Sequence, residues 1–501
     1  MHQLFKPINN ASLAAFRILF GLLIATELRW EWAARVELVQ QRPVRFPYLG
    51  FEWLTLLPTG WGEPFLYSLA ACCLLISLGL CFRPAAIAFT VGYTWMFLLD
   101  RAYFNNHNYL ICMLGGWLAV SDAHRRWSVD AWLRPAIRST TVPTWQLAGI
   151  IGQIGVAYFF GGVAKINPDW LRGEPMRYFL YQLIDTPVLS IFAEGRPLAL
   201  VFAWGGMLFD LLIVPALLWR RTRLAAFAAF AFFHVMNANM FSIGIFPWLS
   251  MGSLVLFLPP TAIEQGLAWL RRPFAAAAAP SPPSEARHQQ SSPFARRLIT
   301  AAFILWFAIQ CLVPLRRFLL PGNVGWTREG FYFAWTMKLD QKSSFLGFHL
   351  CDPATGVCES FDHNADLTSV QARWLPGEPQ GIVQYARFAA ARQQQATGKP
   401  CVVVCDSVAA LNGRPFQYMI DPRVDPATVT LPRWGHADWI VPLLTDVPIG
   451  HYVNTERKNA RALRLIQTAR IEEKLFPAGL APTAIRDATP PPGGEGDDQQ
   501  P

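Results

Sequence analysis

Charged side chains are scarce in this chain of 501 residues. Asp, Glu, Lys and Arg together make up 15% of the sequence, whereas an ordinary soluble domain carries about 25%. The deficit is concentrated in the first 320 residues, and the remainder has the composition of a soluble domain. A wholly soluble protein is therefore excluded, and we expect a membrane core followed by a globular domain.

Several chemical signatures are also missing. The sequence has no His-Glu-x-x-His metal motif, no Gly-rich phosphate loop after a strand, and no recognisable Ser/His/Asp set. We therefore predict no metal site. The net charge of +9 does not indicate nucleic-acid binding, because the Lys and Arg residues fall in short loops between apolar runs, where they orient helices.

A cleavable signal peptide is not evident either. The first apolar run follows Lys6 alone, lacks a small-residue cleavage site, and carries Glu27, Arg29 and Glu31 at its far end. We expect this run to be retained as the first membrane span.

Long apolar runs are what the sequence has instead of charge. A helix that spans a bilayer needs about 20 apolar residues, or about 17 at the short end. Nine runs approach this length, at residues 12–30, 64–82, 85–100, 107–121, 146–165, 198–219, 223–241, 246–260 and 298–318. We predict a mainly α fold, a polytopic bundle of about nine transmembrane helices. Three of the runs are short, so the count stays open by one or two.

The distribution of Lys and Arg between the loops predicts the orientation. With the N-terminus inside, the inner loops hold twice as many Lys and Arg residues as the outer loops. We therefore predict a cytoplasmic N-terminus and, after nine spans, an extracytoplasmic C-terminal domain.

The predicted domain organisation has three parts. A transmembrane domain covers residues 1–320, with a flexible inner linker of Ala, Pro, Ser and Gln at about 275–293. A small α+β domain covers residues 321–478, and a disordered tail covers 479–501.

Within the soluble domain, the β-branched run at Cys401–Cys405 predicts a strand, and the patterns at Gln380–Gln395 and Ala460–Phe476 predict helices. Cys351 and Cys358 flank a predicted turn. A local disulfide is possible there if the domain lies outside, but spacing alone does not decide it. Cys401 and Cys405 would lie on one strand, too far apart to bridge.

Three polar clusters interrupt the apolar runs, where polar groups are costly and usually functional. They cover residues 100–107, 161–170 and 234–239, and Asp210 lies alone within the sixth run. In the predicted topology all three clusters fall at the outer ends of their spans. This convergence at one membrane depth is what a site between helices requires.

Each cluster also has a purely structural interpretation. Lys165 alone is more often a lysine that extends to the membrane interface. The glycines before it would equally serve close helix packing. His234 and Asn237 lie three residues apart on one helix face, so they would equally bond a neighbouring helix.

These segments carry a family resemblance. The carriers are Asn105-Asn106-His107-Asn108-Tyr109-Leu110, Trp127-Ser128-Val129-Asp130, Gly161-Gly162-Val163-Ala164-Lys165 with Pro168-Asp169-Trp170, Phe233-His234-Val235-Met236-Asn237 with Phe241-Ser242-Ile243-Gly244-Ile245-Phe246, and Asp421-Pro422-Arg423-Val424-Asp425. From about residue 95 to 446 the chain resembles the vitamin K-dependent gamma-glutamyl carboxylases and the wider horizontally transferred transmembrane domain family.

The resemblance implies a membrane enzyme, a carbon–carbon lyase similar to the peptidyl-glutamate 4-carboxylases. In that family a reduced vitamin K-type naphthoquinone reacts with O₂ and becomes the epoxide. The strong base formed on the way removes a γ-proton from a protein glutamate, which then takes up CO₂ as γ-carboxyglutamate. The implied partners are a protein or peptide Glu substrate, a lipid-soluble quinone and the bilayer, with no nucleic acid.

The resemblance also implies roles for individual residues. Lys165 matches the base that starts the reaction, and Asn106 and His107 match groups that hold the quinone and its developing oxyanion. Asn237, with His234, matches a second polar wall. The chemistry of the residues agrees, because desolvation among apolar neighbours such as Phe159, Phe160 and Val163 would favour the neutral amine of Lys165.

Two other functions stay open beside the carboxylase. Animal members of the family continue much further after the segment at 421–425, where about 75 residues follow here. The main alternative is therefore a quinol epoxidase, or a lipid- or quinone-binding protein of the same fold, that carboxylates nothing. The other is a non-catalytic membrane scaffold that presents the soluble domain to partners.

Overall fold

The computed structural model describes residues 2–181, 196–241, 243–271, 292–433 and 435–444. The chain divides between Gln341 and Lys342 into two compact units. The predicted helix at 460–476, the predicted tail and nearly all of the predicted linker lie outside the described residues. The domain boundaries that we expect at residues 320 and 478 remain predictions.

The N-terminal unit is helical apart from one small two-stranded sheet. The antiparallel strands β1 (Pro7–Asn9) and β2 (Thr141–Pro143) pair Ile8 with Val142. The helices described are α1 (Ala11–Trp30), α2 (Trp32–Val39), α3 (Gly62–Leu78), α4 (Phe82–Leu98), α5 (Asn106–Ala119), α6 (Val129–Leu133), α7 (Thr144–Ala164), α8 (Pro168–Leu171), α9 (Met176–Tyr181), α10 (Arg196–Leu218), α11 (Arg223–Met240), α12 (Phe246–Ser253), α13 (Pro260–Arg271), α14 (Pro293–Leu315) and α15 (Val324–Thr327).

Eight of the nine predicted runs each coincide with one helix, and nine spans are not confirmed. Among the described residues, four helices are long and apolar enough to cross a membrane: Ala11–Trp30, Thr144–Ala164, Pro197–Leu218 and Pro293–Leu319. Others are shorter; α5 has 14 residues, which is about 21 Å of helix against a hydrocarbon core of about 30 Å.

The predicted run at 246–260 is not one straight span. Its helix α12 ends at Ser253, and α13 starts at Pro260 after a bend of 112°. Pro259 and Pro260 explain the break, because proline lacks a backbone donor and disfavours helical geometry in the residue before it. If this bent pair counts as one span, the described residues hold five.

A buried arginine joins α1 to the end of α3. Arg17 donates through Nη1 to the carbonyls of Ile76 at 2.6 Å and Ser77 at 2.5 Å, and through Nη2 to that of Trp127 at 2.6 Å. The last carbonyls of a helix lack partners within the helix, and Arg17 supplies them. Gly79 adopts a φ of +66°, and a Cβ there would lie 2.8 Å from Arg17 Nη1, so glycine is required.

The same junction is fixed by Asp130. Its carboxylate accepts from the backbone N–H groups of Cys81 at 3.1 Å and Phe82 at 3.0 Å, at the start of α4. A carboxylate at a helix N-terminus satisfies orphan donors and favours the helix dipole. Within the described residues, the motif at 127–130 therefore stabilises the junction of α3 and α4.

The C-terminal unit is a small α+β fold, which confirms the predicted class of this region. Strands β3 (Lys342–Cys351), β4 (Cys358–Ser360), β5 (Val402–Leu411) and β6 (Gln417–Tyr418) form an antiparallel sheet in the order β4-β3-β5-β6. Helices α16 (Ser369–Trp374) and α17 (Pro379–Thr397) precede β5. Cys351 and Cys358, opposite each other on β3 and β4, form a disulfide, and Cys401 and Cys405 are free thiols.

Candidate active site

Two glycines let α10 approach the end of α7 closely. A Cβ at Gly162 would lie 2.7 Å from Leu211 Cγ and 3.0 Å from its backbone nitrogen. A Cβ at Gly161 would lie 2.7 Å from Met337 Cε and 3.4 Å from Asp210 Oδ2. Small residues are what close helix approach in membranes requires. The glycines thus bring Asp210 next to Lys165, the residue that follows α7.

Lys165 and Asp210 form a buried ion pair. Lys165 Nζ lies 2.6 Å from Asp210 Oδ2 and 3.3 Å from the carbonyl oxygen of Gly161, and the two side chains are 7% and 4% exposed. The ammonium also lies 5.3 Å from the ring centre of Trp170. Phe159, one of the apolar neighbours that we expected around Lys165, is instead 49% exposed. The nearest partner of Lys165 is therefore the carboxylate of Asp210, and Trp170 is the aromatic ring beside it.

The ion pair lies in the wall of a cavity of about 280 Å³ in the N-terminal unit. Four of the five predicted site residues line it: Asn106, His107, Lys165 and Asn237. Asp210, Tyr158 and Lys338 also line it. Most of the remaining wall is aromatic or methionine, including Trp170, Phe202, Phe233, Met236, Met240, Phe241, Phe246 and Phe331.

Several polar groups on the cavity wall have no protein partner among the described residues. Asn106 donates through Nδ2 to the carbonyl of Thr336 at 2.8 Å, but its buried Oδ1 accepts nothing. Neither His107 nor Asn237 makes a side-chain hydrogen bond there. Because a buried polar atom normally has a partner, the free Oδ1 of Asn106 suits a ligand that offers a hydrogen-bond donor.

His234 is placed differently from the other predicted residues. It is fully buried but does not line the cavity. Its Nε2 lies 2.6 Å from the phenolic oxygen of Tyr158, and Tyr158 is the residue that reaches the cavity wall. Sequence reasoning missed Tyr158, although a signal existed: it precedes Lys165 by seven residues, two helical turns, and so shares its face of α7.

A second feature that sequence reasoning missed is the segment 331–338. It contributes Phe331, Thr336, Met337 and Lys338 to the cavity wall. Left-handed backbone at Phe333 and Lys338, with φ of 61° and 51°, is uncommon for such residues. The signal was absent from the sequence because no glycine marks these positions.

Among the described residues, no group of three or more His, Cys, Asp or Glu side chains could hold a metal ion. The cavity combines a Lys–Asp ion pair with hydrogen-bonding side chains in a largely aromatic wall. It defines a helical membrane protein with a polar site enclosed between its helices.

Comparisons with known proteins assign the family. The model of the HTTM domain matches residues 5–261, and the model of the lumenal domain of vitamin K-dependent gamma-carboxylase matches residues 295–446. The chain therefore belongs to the HTTM-domain family and is a gamma-carboxylase-like, multi-pass membrane protein. No solved structure matches the chain.

Proposed function

We propose that this protein is a quinol-dependent carboxylase that converts protein glutamate to γ-carboxyglutamate. The observation that carries the proposal is one cavity that joins the Lys165–Asp210 pair to the unpartnered polar groups of Asn106, His107 and Asn237. Both family matches, over residues 5–261 and 295–446, support the proposal. A bound reduced naphthoquinone would supply, with O₂, the strong base that glutamate deprotonation requires, and CO₂ would supply the carbon.

Asn106, His107 and Asn237 would hold the quinol. Asn106 Oδ1 is buried and free to accept from a hydroxyl group. The imidazole of His107 and the amide of Asn237 can donate to an oxygen on which negative charge develops. The aromatic and methionine side chains around them would exclude water and pack against the ring.

Lys165 would serve as the base, with Asp210 as its proton partner. Removing two charges from water costs several kcal/mol for each ion, which their attraction offsets only in part. Transfer of one proton from Nζ to Oδ2, across 2.6 Å, removes both charges at once. It leaves a neutral amine on the cavity wall that can accept a proton from a ligand hydroxyl.

The direct test is a double assay on the purified, detergent-solubilised chain. The protein is given a reduced naphthoquinone, O₂, isotope-labelled CO₂ and a Glu-containing peptide. We expect labelled γ-carboxyglutamate and quinone epoxide together, and neither from Lys165→Arg. Lys6→Arg is the matched control, because Lys6 is exposed and lies outside the cavity. Epoxide without labelled peptide would favour the quinol epoxidase. The absence of both products would contradict the proposal.

We also propose that the N-terminus is cytoplasmic and that the C-terminal domain is extracytoplasmic. The support is the twofold excess of Lys and Arg in the predicted inner loops. A peptide substrate would then reach the cavity from outside and the quinone from the bilayer. A topology reporter fused after Phe476 tests this, and a cytoplasmic signal would contradict it.

A further inference from the structure

Tyr158 is a cavity residue that the roles above leave unused. Its side chain is 4% exposed, and its phenolic oxygen lies 2.6 Å from Nε2 of His234. Seven residues separate it from Lys165 along the chain, which is about 10 Å of helical rise on the same face of α7. Its hydroxyl is thus a further polar group at the cavity, besides the ion pair.

His234 is held in a fully apolar shell behind Tyr158. It has no exposed surface, and the rings of Phe230, Phe233 and Phe246 lie 4.5, 5.4 and 5.6 Å from its ring. Its Nδ1 has no hydrogen-bond partner among the described residues. Its contact with Tyr158 is thus its one side-chain hydrogen bond in the part of the chain that the structure describes.

The unpartnered Nδ1 decides which tautomer is favoured. If Tyr158 donates to Nε2, the proton is on Nδ1, and a buried N–H group is left without an acceptor. If Nε2–H donates to the phenolic oxygen, only a lone pair on Nδ1 is left unused. Orphaned buried N–H groups are the rarer and costlier case. The second tautomer is therefore favoured, and it leaves the hydroxyl hydrogen of Tyr158 free to point elsewhere.

We propose that Tyr158 donates its hydroxyl hydrogen to an oxygen of the bound quinone, and that His234 holds the phenol in that orientation. Tyr158 is then a catalytic residue, and His234 is a positioning residue. A neutral donor suits an oxygen that becomes negative when the quinol loses a proton, and it carries no charge that would compete with the Lys165–Asp210 pair. The inference rests on the proposed quinone-dependent function.

Ser250 is a further polar group near the phenol. It is buried, and it interacts with Tyr158.

The first experiment measures the ligand rather than the reaction. Oxidised 2-methyl-1,4-naphthoquinone with ¹³C-labelled carbonyls is bound to the purified full chain, and its carbonyl bands are recorded by isotope-edited infrared spectroscopy. In Tyr158→Phe we expect one carbonyl band to move to higher frequency, because a hydrogen bond is lost. The affinity, read from quenching of tryptophan fluorescence, should weaken by about three- to tenfold. Epoxide formation from the quinol should fall about a hundredfold or more.

Tyr109→Phe is the matched control. Tyr109 is a buried tyrosine of α5 whose hydroxyl is paired with Gln310, at 3.1 Å from its Nε2, and it does not line the cavity. This variant also loses a buried phenolic hydrogen bond, but we expect its carbonyl bands and quinone affinity to equal those of the wild type.

Two variants of His234 separate positioning from packing. Gln places an N–H donor near the position of Nε2, whereas Leu has similar volume and no donor. We expect His234→Gln to keep most of the wild-type carbonyl shift, and His234→Leu to resemble Tyr158→Phe. Equal behaviour of Gln and Leu would show that His234 does not orient the phenol and would overturn that half of the proposal.

The outcomes distinguish this inference from the proposed function. If the wild-type chain binds quinone and Tyr158→Phe leaves both its carbonyl bands and its affinity unchanged, the inference is overturned and the proposed function stands. If the wild-type chain binds no quinone, both are overturned.

Discussion

Two clusters of polar side chains interrupt the helices of the N-terminal unit, and they differ in how their polar atoms are satisfied. At the junction of α3 and α4, Arg17 reaches three carbonyl groups and Asp130 accepts from two backbone N–H groups. Around the cavity, Asn106 Oδ1 and the side chains of His107 and Asn237 have no partner among the described residues. Apart from Arg17 Nε, the polar atoms named at the junction have partners within the protein, whereas those named around the cavity are available to a ligand.

The difference also separates two motifs that looked alike in the sequence. The segments at 127–130 and 105–110 both carry the family resemblance, and both place polar residues between apolar runs. The first stabilises two helix ends, and the second lines the cavity through Asn105, Asn106 and His107. The role of such a motif therefore depends on the partners of its polar atoms, and those partners are known only from the structure.

The substitution with the largest expected effect disrupts the cavity cluster without unfolding the protein. Lys165→Arg keeps a positive charge beside Asp210 but cannot act as a base, because a guanidinium stays protonated. We expect epoxide formation to fall by about a thousandfold, within the range of general-base catalysis, with a thermal melt close to that of wild type. Lys6→Arg should behave as wild type in both measurements. Near-normal epoxide formation in Lys165→Arg would rule out the base role.

Lys165→Ala sharpens the same point. It removes the base and also leaves Asp210 buried without its partner, which is destabilising by about 3–5 kcal/mol when the remaining group stays charged. We therefore expect Ala to be as inactive as Arg and less stable. A small amine added to the Ala variant should restore part of the epoxide formation, and complete failure of this rescue alongside an unchanged melt would count against the ion pair.

The substitution with the next largest effect disrupts the cluster at the junction of α3 and α4 and leaves the cavity unchanged. Arg17→Met keeps a long apolar stem but loses three bonds to carbonyl groups. Since each hydrogen bond to a charged group contributes about 1.5–3 kcal/mol, we expect the loss of all three to lower the free energy of unfolding by at least about 4 kcal/mol, measured by denaturation in detergent. Arg29→Met, at an exposed position of the same helix, should change little. Lost epoxide formation in correctly folded Arg17→Met would contradict the division between the clusters.

Much of the fold follows from the sequence, but the number of spans does not. The run at 146–165 closely predicts α7 (Thr144–Ala164), because about 20 apolar residues are both necessary and distinctive. The runs at 85–100 and 107–121 correspond to helices of 17 and 14 residues, for which composition does not decide between crossing a bilayer and ending within the protein. The disulfide stayed open because spacing does not fix the geometry of two cysteines.

For the candidate site, the sequence predicts which residues come together but not which side chains contact each other. The predicted topology brings residues 106, 107, 165 and 237 to one membrane depth, and in the structure these residues line one cavity. What helix periodicity does not reveal is which side chain lies between two others. His234 is behind Tyr158 for that reason, and Lys165 faces Asp210 rather than Phe159.

The C-terminal unit extends the comparison, since its cross-link should act on stability alone. Cys358→Ser opens the disulfide to Cys351, which closes a loop with a sequence separation of 7. Chain-entropy arguments for so short a loop give about 2.5 kcal/mol, and we expect the melt of this unit to fall accordingly. Quinone epoxide formation should not change, because the cavity is lined by the N-terminal unit. Cys401→Ser, which removes a free thiol, is the control, and an equal loss of stability there would contradict the assignment.

The smallest expected effect is a pH dependence within the C-terminal unit. Burial of His363 against Phe348 and Tyr385 lowers the pKa of its imidazole below the usual value, and Asp362 and Asp366 only partly oppose this. The unfolded chain, in which the pKa is about 6.5, therefore binds a proton more readily than the folded chain. Above pH 6.5 both states are neutral and stability is unaffected; as the pH falls below 6.5, the unfolded state is favoured and stability declines. We expect the melting temperature of the unit to fall progressively from pH 6.5 towards the lower pKa of the folded state. His363→Phe, which keeps an aromatic ring and cannot titrate, should flatten this part of the profile. An unchanged slope in that variant would show that another group, and not the buried histidine, controls the acid side of the stability curve.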